Sequence, residues 1–166
     1  MSRSESLRRI HADHSPPDAR GPNAQAGRRI ASSATMSDDP GYAVSSLEEM
    51  GDGYGFRKIR HAVGVTAFGI NALVLPPGYA TGMHYHDEQE ETYFVHQGQV
   101  EFRFEDGSTH LLGPGGVARV SASTHRGLRN AGDDDAIVVV AGGKDGYVGR
   151  DGQAIGGSGH GPPGAA

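Results

Sequence analysis

The sequence contains no cysteine. Disulfide bonds and thiolate metal sites are therefore excluded, and a metal site in this chain must be built from nitrogen and oxygen ligands. No apolar run reaches the length that a helix needs to cross a membrane, and the N-terminal segment lacks the apolar stretch of a secretory signal. We therefore expect a soluble protein with no membrane partner, and the cytoplasm is its simplest location.

Apolar residues are also scarce. They make up 36% of the sequence, which is low for a chain that is folded throughout. Because a segment that cannot bury apolar area stays disordered, we predict a disordered N-terminal tail over residues 1–41 and a flexible Gly-rich tail over residues 149–166. The folded domain is then expected over residues 42–148. Met36, within the N-terminal tail, is an alternative start of translation.

Charge is distributed unequally along the chain. Residues 1–35 contain six arginines and three acidic residues, whereas the remainder has nine basic and seventeen acidic residues. The N-terminal arginines are too sparse to indicate a nucleic-acid site, and they suit a solvated tail. The acidic folded part argues against a nucleic-acid partner, so that none is expected.

Turn signals divide the middle of the chain into short strand-like runs. Glycine is abundant, with 27 residues, and proline adds 9, which suits many tight turns. No long helical periodicity is present apart from a turn near residues 46–50. Short strands with frequent turns are typical of an all-β sandwich or barrel. The expected strands cover residues 65–75, 92–95, 100–104, 109–112, 117–120 and 136–141.

Residues 78–98, GYATGMHYHDEQEETYFVHQG, contain a candidate metal site. Side chains alternate between the faces of a strand, so that His84 and His86 point the same way and Tyr85 points the other way. Glu91, returned by the next strand, adds a carboxylate to the two imidazoles. This ligand set suits iron, manganese, zinc, nickel or copper rather than calcium. In the alternative interpretation, the histidines are solvated on a polar strand.

The spacing of these residues is more specific than their chemistry. It reads Gly78, five residues, His84-x-His86, four residues, Glu91, six residues and Gly98. This order resembles the first conserved motif of the cupin family. The resemblance covers roughly residues 42–148 and implies an all-β fold, a single jelly-roll β-barrel, with a divalent transition metal inside its mouth. It also implies a homodimer, because a second copy often covers the edges of small jelly rolls.

Residues 115–130 match the second cupin motif in register but not in chemistry. The histidine position of that motif falls on Arg126, and His125 lies one residue early. Alternation counted back from Asn130 places Arg126 on the inner face of the strand and His125 on the outer face. A bulge near Thr124 would turn His125 inward instead, so that it is the less favoured fourth metal ligand.

An arginine in this position changes the expected chemistry. The Arg126 guanidinium has no acceptor and cannot bind a metal, but it can bind a carboxylate or a phosphate through two parallel hydrogen bonds. We therefore predict that Arg126 binds an anionic substrate. The alternative is an ion pair with Glu91 or Glu90 and no metal. Tyr93 shares the face of Glu91 and is the candidate catalytic residue, or else an aromatic residue of the core.

Three functions are compatible with these residues. The first is a metal-dependent enzyme that uses iron, manganese, zinc or nickel, such as a dioxygenase, an isomerase or a cyclase of a small anionic molecule. The second is a non-catalytic sensor or binding module for a small molecule. The third is a structural barrel without metal that is held by dimerisation. Cupins include all three, and the fold does not decide between them.

Overall fold

A computed structural model describes residues 40–156 of the chain. Most of the predicted N-terminal tail, including Met36, lies outside the described residues, as do residues 157–166. The described residues form ten strands and one short helix. In chain order these are β1 (Gly55–Arg57), α1 (Ile59–Ala62), β2 (Gly69–Leu75), β3 (His84–His86), β4 (Glu90–Gln97), β5 (Val100–Phe104), β6 (Thr109–Leu112), β7 (Val117–Val120), β8 (Arg126–Asn130), β9 (Ala136–Gly143) and β10 (Gly152–Ala154).

The strands form two antiparallel sheets that enclose one core. The first sheet has the order β1-β2-β9-β4-β7, and the second has the order β10-β3-β8-β5-β6. The buried apolar side chains come from both sheets: Leu73, Leu75, Tyr93, Val95, Val100, Phe102, Val120, Leu128, Ala136, Val138 and Val140. The prediction of an all-β jelly-roll barrel is thereby confirmed. No helix among residues 40–156 is long and apolar enough to cross a membrane.

Alternation of side chains along each strand fills this core. In β5, Val100 and Phe102 are buried, whereas Glu101 is partly exposed. The predicted bounds of β5, β6 and β7 are those of the structure. The strand expected over residues 65–75 begins only at Gly69, because a bend separates it from α1. β9 lies between β2 and β4 in the first sheet.

Gly98 illustrates why the turn between β4 and β5 requires glycine. Its φ angle is +77°, a conformation that side chains with a Cβ disfavour. A Cβ atom added at Gly98 would also lie 2.8 Å from the Cα of Ala136, at the start of β9. The turn is therefore packed against the neighbouring strand, and only glycine fits there without displacing backbone.

The barrel extends beyond the predicted boundary at Val148. β10 pairs with β3, with Gly152 opposite His86 and Ala154 opposite His84. Asp151, at the entrance to β10, is buried. The predicted flexible tail over residues 149–166 thus includes one strand of the second sheet. Sequence analysis omitted this strand because Gly-Gln-Ala carries no β-branched or aromatic residue and is held by pairing alone.

Candidate metal centre

Two neighbouring strands bring the three predicted ligands together. His84 and His86 lie on β3, and Glu91 lies on β4. Each of the three offers one ligand atom, and these atoms all lie within 4.8 Å of one another. The Nε2 atom of His86 is 3.3 Å from an Oε2 oxygen of Glu91. Tyr85 points to the opposite side of β3, where its ring lies 5.0 Å from that of His125.

The chemistry of this donor set fits a divalent transition metal. Two imidazole nitrogens and one carboxylate oxygen match zinc, iron, manganese or nickel, each of which is bound at about 2.0–2.2 Å by such ligands. The 3.3 Å separation of the His86 and Glu91 atoms is compatible with both atoms binding one ion. Three protein ligands on one side of an ion leave positions open for substrate.

The Glu91 carboxylate is held by two further donors. The Nη2 atom of Arg126 donates a hydrogen bond of 2.6 Å to Oε2, and the Tyr93 hydroxyl donates to the same oxygen. Burial raises the pKa of Glu91, but hydrogen bonds from His86 and Tyr93, together with the charges of His86 and Arg126, outweigh burial and lower the pKa to about 2. Glu91 is therefore an anionic ligand at any ordinary pH.

Arg126 lies inside the barrel with none of its surface exposed. It stands opposite His84 where β8 pairs with β3. Besides its bond to Glu91, Nε donates to the Tyr93 hydroxyl at 3.2 Å, and Nη1 donates to the carbonyls of Ala122 and Thr124 at 3.2 and 3.1 Å. All three nitrogens of the guanidinium therefore donate hydrogen bonds to protein groups. It is not among the residues that line the adjacent cavity.

His125 lies on the outer face, away from the three ligands. Its Nδ1 atom is 2.6 Å from a carboxylate oxygen of Glu105, and the side chain is 34% exposed. Among the described residues, the cluster that could hold a metal consists of His84, His86 and Glu91 without a fourth member. The alternation of β8, counted from Asn130, accounts for the outward direction of His125.

Tyr93 belongs both to the core and to the candidate site. Its ring packs edge-on against Phe102, with the ring centroids 5.3 Å apart. Burial and the neighbouring charge of Glu91 raise the pKa of its hydroxyl above the ordinary range. The hydroxyl therefore keeps its proton and acts as a hydrogen-bond donor to Glu91. A small inner cavity of about 50 Å³ is lined by Tyr93 together with His84 and Glu91.

Asp151 supports the site from the C-terminal segment. Its carboxylate accepts hydrogen bonds of 2.9–3.2 Å from the backbone N–H groups of Asp87, Glu88 and Gln89, which form the turn between the metal-site strands. Its Oδ2 oxygen is 3.4 Å from the Nδ1 atom of His86, and the Gln89 amide lies 2.9 Å from the same atom. Sequence analysis missed Asp151 because it falls in the predicted tail and outside both motifs.

The three ligand residues line a cavity of about 310 Å³. The lining also includes Asn71 from β2, and Tyr147 and Arg150 from the segment that leads to β10. Arg150 is the sole lysine or arginine among the lining residues of this cavity in the described part of the chain. The cavity therefore combines a metal-ligand cluster, polar groups and one cation, and its size suits a small molecule.

Comparisons with known proteins agree with this architecture. Residues 72–142 match the Cupin domain family. A sugar phosphate isomerase from a cupin superfamily, from Silicibacter pomeroyi, is 29% identical over 62% of this chain and 68% of its own, with a TM-score of 0.51. An uncharacterized conserved protein with a double-stranded β-helix domain, from Klebsiella pneumoniae, is 17% identical over 68% of this chain and 96% of its own, with a TM-score of 0.55. No curated protein matches the sequence.

The matched segment begins in β2 and ends in β9, and it therefore includes β3 and β4 with the three candidate ligands. The two structural neighbours show a likeness in fold over 62% and 68% of this chain. The family match and the solved structures identify residues 72–142 as a cupin domain.

Proposed function

We propose that this barrel binds a divalent transition metal through His84, His86 and Glu91 and acts as an enzyme on a small anionic molecule. The observation that supports it is the convergence of three ligand atoms within 4.8 Å at the wall of a cavity of about 310 Å³. Iron, manganese, zinc and nickel all suit the donors. Such an ion, when bound, polarises a substrate oxygen as a Lewis acid.

Isomerisation is the reaction class that we favour, and sugar phosphates are the first substrates to test. The support is the sugar phosphate isomerase from Silicibacter pomeroyi, which is 29% identical to this chain. Neighbours with lower identity support the fold alone. Because one cupin barrel can carry many chemistries, the substrate has to be decided at the site itself.

We assign Arg126 to holding Glu91 rather than to binding the substrate anion. A side chain with 0% exposure that donates to Glu91, Tyr93 and two backbone carbonyls has no surface to offer a substrate. Tyr93 has the same task, since its hydroxyl donates to Glu91. Both side chains keep the carboxylate ionised and aimed at the two histidines.

Metal analysis of the purified full chain tests the proposal. His84→Ala and His86→Ala should each lose most of the bound metal while the barrel remains folded, because removal of one ligand from three sharply lowers affinity. His125→Ala is the matched control and should keep its metal. Equal metal content in all four proteins, or a metal-free protein after growth with added metal, would contradict the proposal.

Turnover separates an enzyme from a sensor. The metal-loaded protein should isomerise at least one member of a panel of sugar phosphates, and His84→Ala should not. Binding of metal and of a sugar phosphate without turnover on the panel would favour the sensor instead.

A barrel without metal is the second candidate function. The 2.6 Å ion pair between Arg126 and Glu91 favours it, because that pair satisfies the carboxylate by itself. We further propose that the protein is a cytoplasmic homodimer.

A further inference from the structure

A second cavity adjoins the first on the side of α1. It has a volume of about 190 Å³ and is lined by Lys58, Arg60 and His61. Four residues line both cavities: Phe56, Gly69, Asn71 and Tyr147. A molecule that reaches from the metal ligands past these shared walls therefore enters a basic environment. No aspartate or glutamate is among the residues that line the second cavity in the described part of the chain.

The positive charges around the two cavities are not neutralised by carboxylates of the described residues. Within residues 40–156, no carboxylate forms an ion pair with Lys58, Arg60 or Arg150. The Nε atom of Arg60 is buried and has no hydrogen-bond partner in this part of the chain. Buried polar groups are normally paired, so that an unpaired guanidinium nitrogen needs an explanation. Nε itself is closed to solvent, so that an anion at this cavity would bind the other guanidinium nitrogens of Arg60.

Tyr147 holds Arg60 in place. The guanidinium carbon of Arg60 lies 3.7 Å from the centre of the Tyr147 ring, within the range of a cation–π contact. A guanidinium fixed over an aromatic ring presents its edge in a defined direction, which suits bidentate binding of phosphate. Lys58, which is exposed, adds a mobile point charge at the same cavity.

We propose that the cavity of Lys58, Arg60 and His61 binds the phosphate group of a small phosphomonoester. The other end of this molecule carries the oxygen atoms that approach His84, His86 and Glu91, in the cavity that Arg150 also lines. Two permanent cations with His61 match the double charge of a phosphomonoester better than the single charge of a carboxylate. The substrate class rests on the proposed function, whereas phosphate binding at this cavity does not require metal.

Titration calorimetry with inorganic phosphate tests this subsite. The full chain is used with a chelator present, so that metal plays no part in the signal. Arg60→Gln and Lys58→Gln should each weaken phosphate binding about tenfold or more, since each removes a charged hydrogen bond. The matched controls are Arg129→Gln and Lys144→Gln, whose side chains are 49% and 59% exposed and line neither cavity. The controls should bind phosphate as the unmodified chain does.

Two results would overturn the inference. One is phosphate binding that is absent, or unchanged in both Arg60→Gln and Lys58→Gln. The other is malonate bound as tightly as phosphate, which would indicate a carboxylate site. Lys58→Gln changes an exposed residue and keeps the test valid where Arg60→Gln fails to fold. His84→Ala under chelation should retain phosphate affinity, so that failure of the metal site and failure of this subsite give different results.

Discussion

At the scale of the residue, the buried ion pair of Arg126 and Glu91 controls the stability of the site. Removal of one partner of a buried pair leaves the other charge without compensation, at a cost of about 3–5 kcal/mol. We expect Arg126→Ala to lower the free energy of unfolding by that amount in metal-free protein. His125→Ala, on the outer face, should change it by only about 0.5 kcal/mol. Urea denaturation followed by circular dichroism measures both.

A double-mutant cycle sharpens this test. Glu91→Gln removes the carboxylate charge while it keeps the shape of the side chain. If the pair is the reason for the loss, Arg126→Ala should cost much less in the Glu91→Gln background than in the unmodified protein. Equal losses in the two backgrounds, or equal losses for Arg126→Ala and His125→Ala, would show that the ion pair has no special role.

The sequence allows the direction of Arg126 to be inferred, but not its partners. Strand alternation has a period of two, so that one anchor residue, Asn130, decides which face each neighbour in β8 occupies. The acceptors of Arg126 include the carbonyls of Ala122 and Thr124, in the loop before β8. No residue pattern reveals where loop carbonyls point. For that reason sequence analysis could not tell an arginine that faces a substrate from one that is closed off by protein.

At the scale of the element, the turn at Gly98 should tolerate substitution less well than a similar turn elsewhere. Gly98 and Gly107 both have positive φ angles, +77° and +83°. A Cβ at Gly98 meets the backbone of Ala136 at 2.8 Å, whereas a Cβ at Gly107 meets nothing within 4 Å. Gly107→Ala should therefore cost about 1–2 kcal/mol for its backbone conformation, and Gly98→Ala about 1–3 kcal/mol more for the steric clash.

Chemical denaturation measures the free energy of unfolding of the two glycine variants. Similar losses in the two variants would mean that the backbone near Ala136 shifts to accommodate the added methyl group. A larger loss for Gly98→Ala would show that this motif glycine is required by packing between β4 and β9 as well as by its φ angle.

β10 should be part of the functional unit although its sequence looks like a tail. A histidine that binds metal through Nε2 carries its proton on Nδ1, and partners of that second nitrogen typically change metal affinity 10–100-fold. Asp151 lies 3.4 Å from Nδ1 of His86 and also caps the turn after β3. A chain that ends at Val148 should therefore bind metal about 10–100-fold more weakly than one that ends at Gly156.

The point substitution Asp151→Asn separates the role of the carboxylate from that of the strand. It leaves β10 in place and removes the charge near His86, so that metal affinity should fall while the melting temperature changes less than in the truncated chain. Equal metal affinity for the chains that end at Val148 and at Gly156 would contradict a role for the segment.

At the scale of the whole molecule, the barrel was predictable because several of its strands carry regular patterns. β5, β6 and β7 alternate or are bounded by glycine turns, and the spacing of the first motif predicts β3 and β4. β1 and β10 have three residues each and were not predicted. Strands this short carry too few side chains for a period to be recognised, and their hydrogen bonds to β2 and β3 hold them in place.

The two sheets also leave apolar side chains at an edge, which is where we predict that a second copy binds. Phe94 on β4 and Val117 on the edge strand β7 are cross-strand neighbours, and they are 43% and 60% exposed. An uncovered edge strand with apolar neighbours favours association with another chain. We expect sedimentation to show a homodimer at tens of micromolar, and Val117→Glu should dissociate it by placing a charge in the contact.

Leu111→Glu on β6, where Leu111 is 60% exposed at the edge of the other sheet, is the matched control and should remain dimeric. A monomeric unmodified chain would remove the predicted dimer, and dissociation by Leu111→Glu with none by Val117→Glu would move the contact to the second sheet.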